Sequence, residues 1–363
     1  MVQSARMDIT LSNSLTKNKE VFEPIHIGKV NMYSCGPTVF RSVTIGNLRA
    51  FLITDFLRRM FEMNGYEVKH VMNITDVGHL TDDGSDGEDK LEKEARELGK
   101  DAWEIARMYT EEFIGNMEDL NMRKHAFMPK ATEHIDEQIS MIQDLEERGF
   151  TYQISDGIYF DTSRLADYGQ IFGGQALDEK EEGARVAVNR EKRNAADFAL
   201  WKFADEGVKR QMEWESPWGV GFPGWHIECS AMSEKYLDSP FDVHTGGIDL
   251  IPVHHTNEIA QTEAARGHGL ANYWVHNEFI QIDGGKMSKS LGNTYTLEDL
   301  KDRGFDPLAF RLFTMGAHYK VSQNFTFEAL EANQNALVKL RRTLREWELP
   351  HALDSLDTPS GEM

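Results

Sequence analysis

The chain reads as an α/β protein built on a doubly wound parallel sheet, and three stretches near its start carry that reading. Lys29–Cys35 (KVNMYSC) is rich in apolar and β-favouring residues and ends at Gly36-Pro37, the pattern of a buried strand. From Gly46 onward, Leu48, Leu52, Phe56, Met60 and Met63 recur on one helical face until Asn64-Gly65 ends the helix. Glu67–Ile74 then reads as a second strand. Strand, glycine-containing loop, helix and strand, in that order, open a doubly wound sheet.

Two long helical stretches follow, Asp89–Arg123 and Lys130–Arg148, then a hairpin over Thr151–Asp161 that turns at Asp156-Gly157. Residues 125 to 220 read as an insertion between two halves of the sheet. Phe241–Thr245 resumes the sheet, with Gly246-Gly247 and a helix starting near Pro252 behind it. Tyr273–Ile282 reads as one strand leading into a polar loop, Gly284–Asn293. Helices over 296–303, 306–316 and 326–347 close the fold, and Pro350–Met363 reads as a disordered tail.

Composition narrows the function. The chain has 363 residues, enough for a catalytic domain and smaller appendages. No window approaches the ~18 consecutive apolar residues of a membrane span. The first residues, MVQSARMDITLSNSLTKNKEVF, lack the apolar core of a secretory signal. A cytoplasmic protein without a membrane partner is expected. With 39 Lys and Arg against 60 Asp and Glu, the net charge is −21. That argues against nucleic-acid binding by bulk charge and leaves room for a local basic patch.

Cys35 and Cys229 are the only 2 cysteines. They form no disulfide framework, and in a cytoplasmic chain a metal or catalytic role outweighs a bridge. His254 and Glu258, in HHTNE, are spaced to emerge on one face of a helix. Alone, such a pair is an ordinary helix-face contact. Joined by two thiolates, it gives the donor set of a tetrahedral zinc ion. Cys35 ends a strand and Cys229 follows WHIE at an expected strand-to-helix turn, so both can reach the carboxyl edge of a parallel sheet.

Two other motifs suit a triphosphate. Lys286 and Lys289 in KMSKS sit among small residues in a polar loop, where ammonium groups can offset shifting phosphate charge. Thr44-Ile-Gly46-Asn47 opens a helix. Gly46 permits close approach of a nucleotide, and the helix terminus with Thr44 and Asn47 offers donors. Read in isolation, the first is a solvated loop and the second a helix cap.

Together, CGPTVFRSVTIGN, WHIECSAMS, HTGGIDLIPVHHTNEIAQ and KMSKSLGN, with NITDVGH and KRNAADFALWK, closely resemble the cysteinyl-tRNA synthetases. The resemblance runs from about residue 10 to 330 and implies a Rossmann-type catalytic domain with an inserted connective domain and a C-terminal helical segment. It implies one zinc ion per chain on Cys35, Cys229, His254 and Glu258, an amino-acid pocket lined by Thr75 and Trp225, and ATP bound with magnesium. Gly46, Gly246, Gly247, Asp249 and Lys289 fall on ATP-binding positions, and Thr44, Asn47, Lys286 and Lys289 on catalytic ones.

The activity implied is cysteine–tRNA ligation: cysteine and ATP give cysteinyl-adenylate, and the acyl group passes to the 3′ end of tRNA(Cys). Zinc would select the substrate thiol. The implied division is 1–125 and 223–295 for the halves of the catalytic domain, 126–222 for the connective domain, 296–349 for a helical stem-contact region and 350–363 for the tail. A monomer is expected. Two features depart from the family pattern: Thr44 stands where histidine is usual, and little chain follows Phe325 where relatives carry an anticodon-reading domain. They motivate two alternatives, a cysteine ligase acting on a small amine and a catalytically weakened zinc-binding paralogue.

Overall fold

A computed structural model describes residues 8–77, 80–82, 86–173, 189–204, 210–287 and 292–347. The elements that matter here are, in chain order, β1 (Lys29–Ser34), α1 (Ile45–Met63), β2 (Glu67–Met72), α2 (Ala102–Asp119), α3 (Ile135–Glu147), β3 (Thr151–Ile154), β4 (Gly157–Phe160), β5 (Phe198–Phe203), β6 (Gly221–Pro223), α4 (Trp225–Leu237), β7 (Phe241–Gly247), α5 (Thr256–Arg266), β8 (Ala271–Asn277), β9 (Ile280–Ile282), β10 (Gly285–Lys286), α6 (Leu297–Asp302), α7 (Pro307–Met315), β11 (Gln323–Phe325) and α8 (Phe327–Glu346). The chain divides into two compact units, one comprising residues 1–41, 56–110 and 125–276, the other 42–55, 111–124 and 277–363.

The first unit holds the predicted parallel sheet, in the order β8-β7-β1-β2. β7 runs parallel to β1, and β1 to β2, with Ser34 level with both Thr245 and Met72. Buried apolar residues fall on both of its faces, Val30, Met32, Tyr33, Val71, Phe241 and Val243 among them, as a sheet covered on both sides requires. A second sheet, antiparallel and in the order β6-β5-β4-β3, includes the hairpin read at Asp156-Gly157. Gly157 is needed there, because a Cβ would lie 2.3 Å from the carbonyl oxygen of Trp201.

The second unit holds a three-stranded sheet, β10-β9-β11, with α6, α7 and α8. Capping side chains start these helices as the sequence suggests: Thr296 and Asp299 form a reciprocal box on α6, Asp306 caps α7 and Thr326 caps α8.

Two elements differ from the expected ones. The stretch Asp89–Arg123 is two helices, Lys90–Leu98 and α2, because Gly99 takes a left-handed φ of 66° and ends the first. Tyr273–Ile282 is two strands, broken at Glu278-Phe279. There the buried guanidinium of Arg49 takes hydrogen bonds away from the ladder, donating to the carbonyls of Glu278, Phe279 and Val321. The tail expected over 350–363 lies outside the described residues.

Candidate active site

The carboxyl edge of the parallel sheet gathers the predicted donors within the first unit. Cys35 directly follows β1, and its amide donates to the carbonyl of Thr245 on β7 at 3.3 Å. Cys229 sits in the second turn of α4, not in the strand-to-helix turn the sequence suggested, and is buried. Placing it on the helix turns its sulfur toward the strand ends. Before α5 the chain makes a π-helical turn over Ile251–His255, which is why both His254 and His255 face the sheet edge.

Four donor atoms, from Cys35, Cys229, His254 and Glu258, all lie within 4.8 Å of one another. The predicted helix-face pair is present, with His254 Nε2 3.0 Å from Glu258 Oε1. A second set, equally close, shares Cys35 and Glu258 and adds His244 and His255. Cys35 Sγ is 3.2 Å from His255 Nε2 and 3.6 Å from Glu258 Oε1, while His244 Nε2 is 2.8 Å from Glu258 Oε2. Sequence reasoning missed His244 and His255. The doubled histidine in HHTNE signalled only one of them, because a regular helix would have pointed the other elsewhere.

Burial couples the titratable groups of this cluster tightly. Burial raises the Cys35 thiol well above its usual value, reinforced by its hydrogen bond with Cys229. Burial would also raise Cys229, but the hydrogen bond from Cys35 and the proximity of His254 outweigh it and bring the thiol to about 6. Burial works against both the charged imidazole of His254 and the Glu258 carboxylate. Their mutual attraction prevails, lifting His254 to about 10 and, with His244, holding Glu258 well below the carboxylate range. Two thiols, an imidazole and a carboxylate, fully buried save for Cys35, match the soft, mixed donor set that zinc takes.

Thr75 and Trp225 border the same cluster. Trp225 stacks on His254 with ring centroids 4.3 Å apart. Thr75 Oγ1 donates to Glu228 Oε2 at 2.9 Å, and Glu228 precedes Cys229. The strand ends are tied together by Asn73, whose side chain accepts from the Gly36 amide at 2.9 Å and donates to Thr75 at 3.0 Å. Gly36 is obligatory, since a Cβ there would lie 1.7 Å from the Asn73 carbonyl oxygen. Gly246 has a packing role of its own: a Cβ would approach His255 Cε1 to 2.6 Å and Leu250 Cδ1 to 2.8 Å. Gly247 and Asp249 follow it, Asp249 in a short turn over Ile248–Leu250.

The other predicted positions belong to the second unit. Thr44 caps α1: its amide and Oγ1 both donate to Asn47 Oδ1, at 3.1 and 2.8 Å, and Oγ1 accepts from the Asn47 amide at 3.3 Å. The Ile45 amide bonds the Tyr295 carbonyl at 2.8 Å. Gly46 lies against Met287, the neighbour of Lys286, where a Cβ would stand 3.3 Å from Met287 Cε. Lys286 is exposed on β10, with its carbonyl accepting from Asn293 Nδ2 at 3.1 Å. Lys289 lies outside the described residues.

The architecture is that of class I tRNA synthetases. Methionyl-tRNA synthetase of Mycobacterium tuberculosis, solved with methionyl-adenylate, superposes with a TM-score of 0.62 over 85% of this chain and 68% of that one, at 16% identity. Residues 21–335 match the family described as tRNA synthetases class I (C) catalytic domain, and the chain belongs to that family. Among its relatives, Cysteine--tRNA ligase 1 of Burkholderia lata is 52% identical over 94% of this chain and 72% of its own length. Cysteine--tRNA ligase of Treponema denticola is 47% identical over 94% of this chain and 69% of its own length. The enzyme of that name from Zymomonas mobilis is 48% identical over 91% of this chain and 63% of its own length.

Proposed function

We propose that this chain is a cysteine–tRNA ligase, which activates cysteine with ATP and transfers it to the 3′ end of tRNA(Cys). The observation that carries the reading is the convergence of Cys35, Cys229, His254 and Glu258 at the carboxyl edge of the sheet, in a chain of this family.

Zinc would be held by those four side chains, and when bound it supplies selectivity for a thiol over the near-isosteric hydroxyl of serine. Shape alone separates such substrates by only ~1–3 kcal/mol; with the metal supplying the rest, no separate editing site is required. Thr75 and Trp225 wall the amino-acid pocket. Trp225, fixed by stacking on His254, excludes water from the side chain, and the Thr75–Glu228 hydrogen bond sets the opposite wall.

The remaining chemistry is positioning and charge stabilisation. Gly246, Gly247 and Asp249 are assigned to the adenosine moiety. Gly46, the helix terminus, Thr44, Asn47, Lys286 and Lys289 are assigned to the phosphates, with magnesium accompanying ATP. The substrate carboxylate attacks the α-phosphorus, and pyrophosphate leaves. The Thr44 hydroxyl is committed to the cap with Asn47, so its part is to hold the first turn of α1 and the Asn47 amide in place for the phosphates. In this reading the segments 1–125 and 223–295 form the catalytic domain, 126–222 the connective domain and 296–349 the stem-contact region of a cytoplasmic monomer. Among the described residues, no helix is long and apolar enough to cross a membrane.

The test is Cys35→Ser. Elemental analysis should show zinc lost from the variant, and cysteine-dependent ATP–pyrophosphate exchange should fall to background. Full exchange in zinc-free variant protein would refute the assignment.

A further inference from the structure

A cleft of about 370 Å³ opens in the first unit, apart from the cysteine cluster. One wall is a single face of α2, which presents Trp103, Arg107 and Thr110 at intervals of one and two helical turns, with the small Ala106 between them. The facing wall is Lys130, Thr132 and Glu133, just past the end of β2, where Lys130 bridges to Ile74. The floor is Asp76, a buried carboxylate that accepts from the Thr132 amide at 2.9 Å and its hydroxyl at 2.7 Å.

This lining has the chemistry of nucleotide recognition. Trp103 keeps 47% of its surface exposed, and Trp214 braces it edge-on with centroids 6.2 Å apart. It is therefore a fixed aromatic face that the protein itself leaves uncovered. Arg107, one turn along, makes no hydrogen bond or ion pair with any described residue. Lys130 lies close enough to feel the buried Asp76 carboxylate, and its contact with Glu133, 3.6 Å at the exposed rim, is weak in water and exchangeable for a phosphate. An uncovered indole beside two cations is how single-stranded nucleic acid is held: the base stacks and the cations meet its phosphate. The volume is at the small end of ligand sites, suited to one nucleotide and too narrow for a duplex.

Position says which nucleotide. Asp76 directly follows Thr75, whose hydroxyl bonds Glu228, the neighbour of Cys229. The floor of the cleft is thus one residue from the wall of the amino-acid pocket. In a chain of net charge −21, RNA must be caught by such local features and not by bulk attraction.

We propose that this cleft binds one nucleotide of the unpaired 3′ tail of the acceptor tRNA, its base stacked on Trp103 and its phosphate held by Arg107 and Lys130. The inference rests on the tRNA-charging reading above. The test uses the full chain with Trp103→Ala, Trp103→Phe and Arg107→Glu, and two RNAs: intact tRNA(Cys) transcript and the same transcript with the unpaired tail removed.

For Trp103→Ala, affinity for intact tRNA should fall about 5- to 150-fold, the range for loss of one base–aromatic stack. Affinity for tail-less RNA should match wild type. Trp103→Phe should keep most of the intact-tRNA affinity, and Arg107→Glu should weaken it and lower the salt slope by about one. Cysteine-dependent ATP–pyrophosphate exchange, which needs no RNA, should be unchanged in all three. Equal weakening toward both RNAs, or none toward either, overturns the proposal. So does Trp103→Phe behaving like Trp103→Ala, or saturation of the cleft by free AMP or CMP with no dependence on a tail. A wild-type chain that exchanges pyrophosphate yet charges no tRNA would instead refute the charging reading itself.

Discussion

Gly246 shows what one missing side chain does for this site. Its Cα faces the His255 ring so closely that a methyl group would come within 2.6 Å of Cε1. His255 is in turn fixed by Cys35 Sγ at 3.2 Å and His276 Nε2 at 2.6 Å, so it cannot yield cheaply. Overpacking of this kind costs roughly 1–3 kcal/mol. Gly246→Ala should raise the KM for cysteine and weaken zinc retention, measured by exchange kinetics and by competition with a chelator. An unaffected KM would show that the imidazole has room to move. The convergence of Cys35, Cys229, His254 and Glu258 was legible in the chain because cysteine is so scarce in it and a His-x3-Glu spacing has geometric meaning. His244 and His255 were not, since their approach depends on a parallel strand register and a π-helical turn that leave no local mark in sequence. Thr44 was legible as a helix start, and its reciprocal bonds with Asn47 show the hydroxyl engaged by the cap.

At the level of elements, a polar chain crosses the sheet just beneath the site. His70 on β2 bonds Ser34 on β1 at 2.8 Å, and Ser34 bonds Thr245 on β7 at 2.7 Å. Burial, with His125 and Arg58 nearby, holds His70 well below the ordinary imidazole value, so it is neutral in the folded protein. Unfolding lets it take up a proton below pH ~6.5. Below that pH the unfolded state binds more protons, and stability falls as pH falls, by up to about 1.4 kcal/mol per pH unit for one proton. Above it the term vanishes. The variant His70→Gln should narrow the difference in unfolding free energy between pH 7.5 and 5.5, read by urea denaturation; an unchanged difference would show that His70 does not carry the acid sensitivity. The strand and helix starts here were readable from periodicity and caps. The break at Glu278-Phe279 was not, because its cause is Arg49, far away in sequence and hidden among apolar neighbours on α1. Gly99 was readable in principle, as a glycine inside an otherwise helical run, but the surrounding charged residues favour helix on both sides of it.

For the molecule as a whole, family membership and metal chemistry point the same way by independent routes. The family assignment covers residues 21–335 and would stand whatever the cluster held. The cluster would suit zinc whatever the family. In the function proposed its value lies in separating cysteine from serine, and removal of the metal tests that directly. Full-length protein stripped with a chelator should lose cysteine-dependent ATP–pyrophosphate exchange and regain it on adding zinc, while serine supports none in either state. Stripped protein that still activates cysteine, and still rejects serine, would contradict the account.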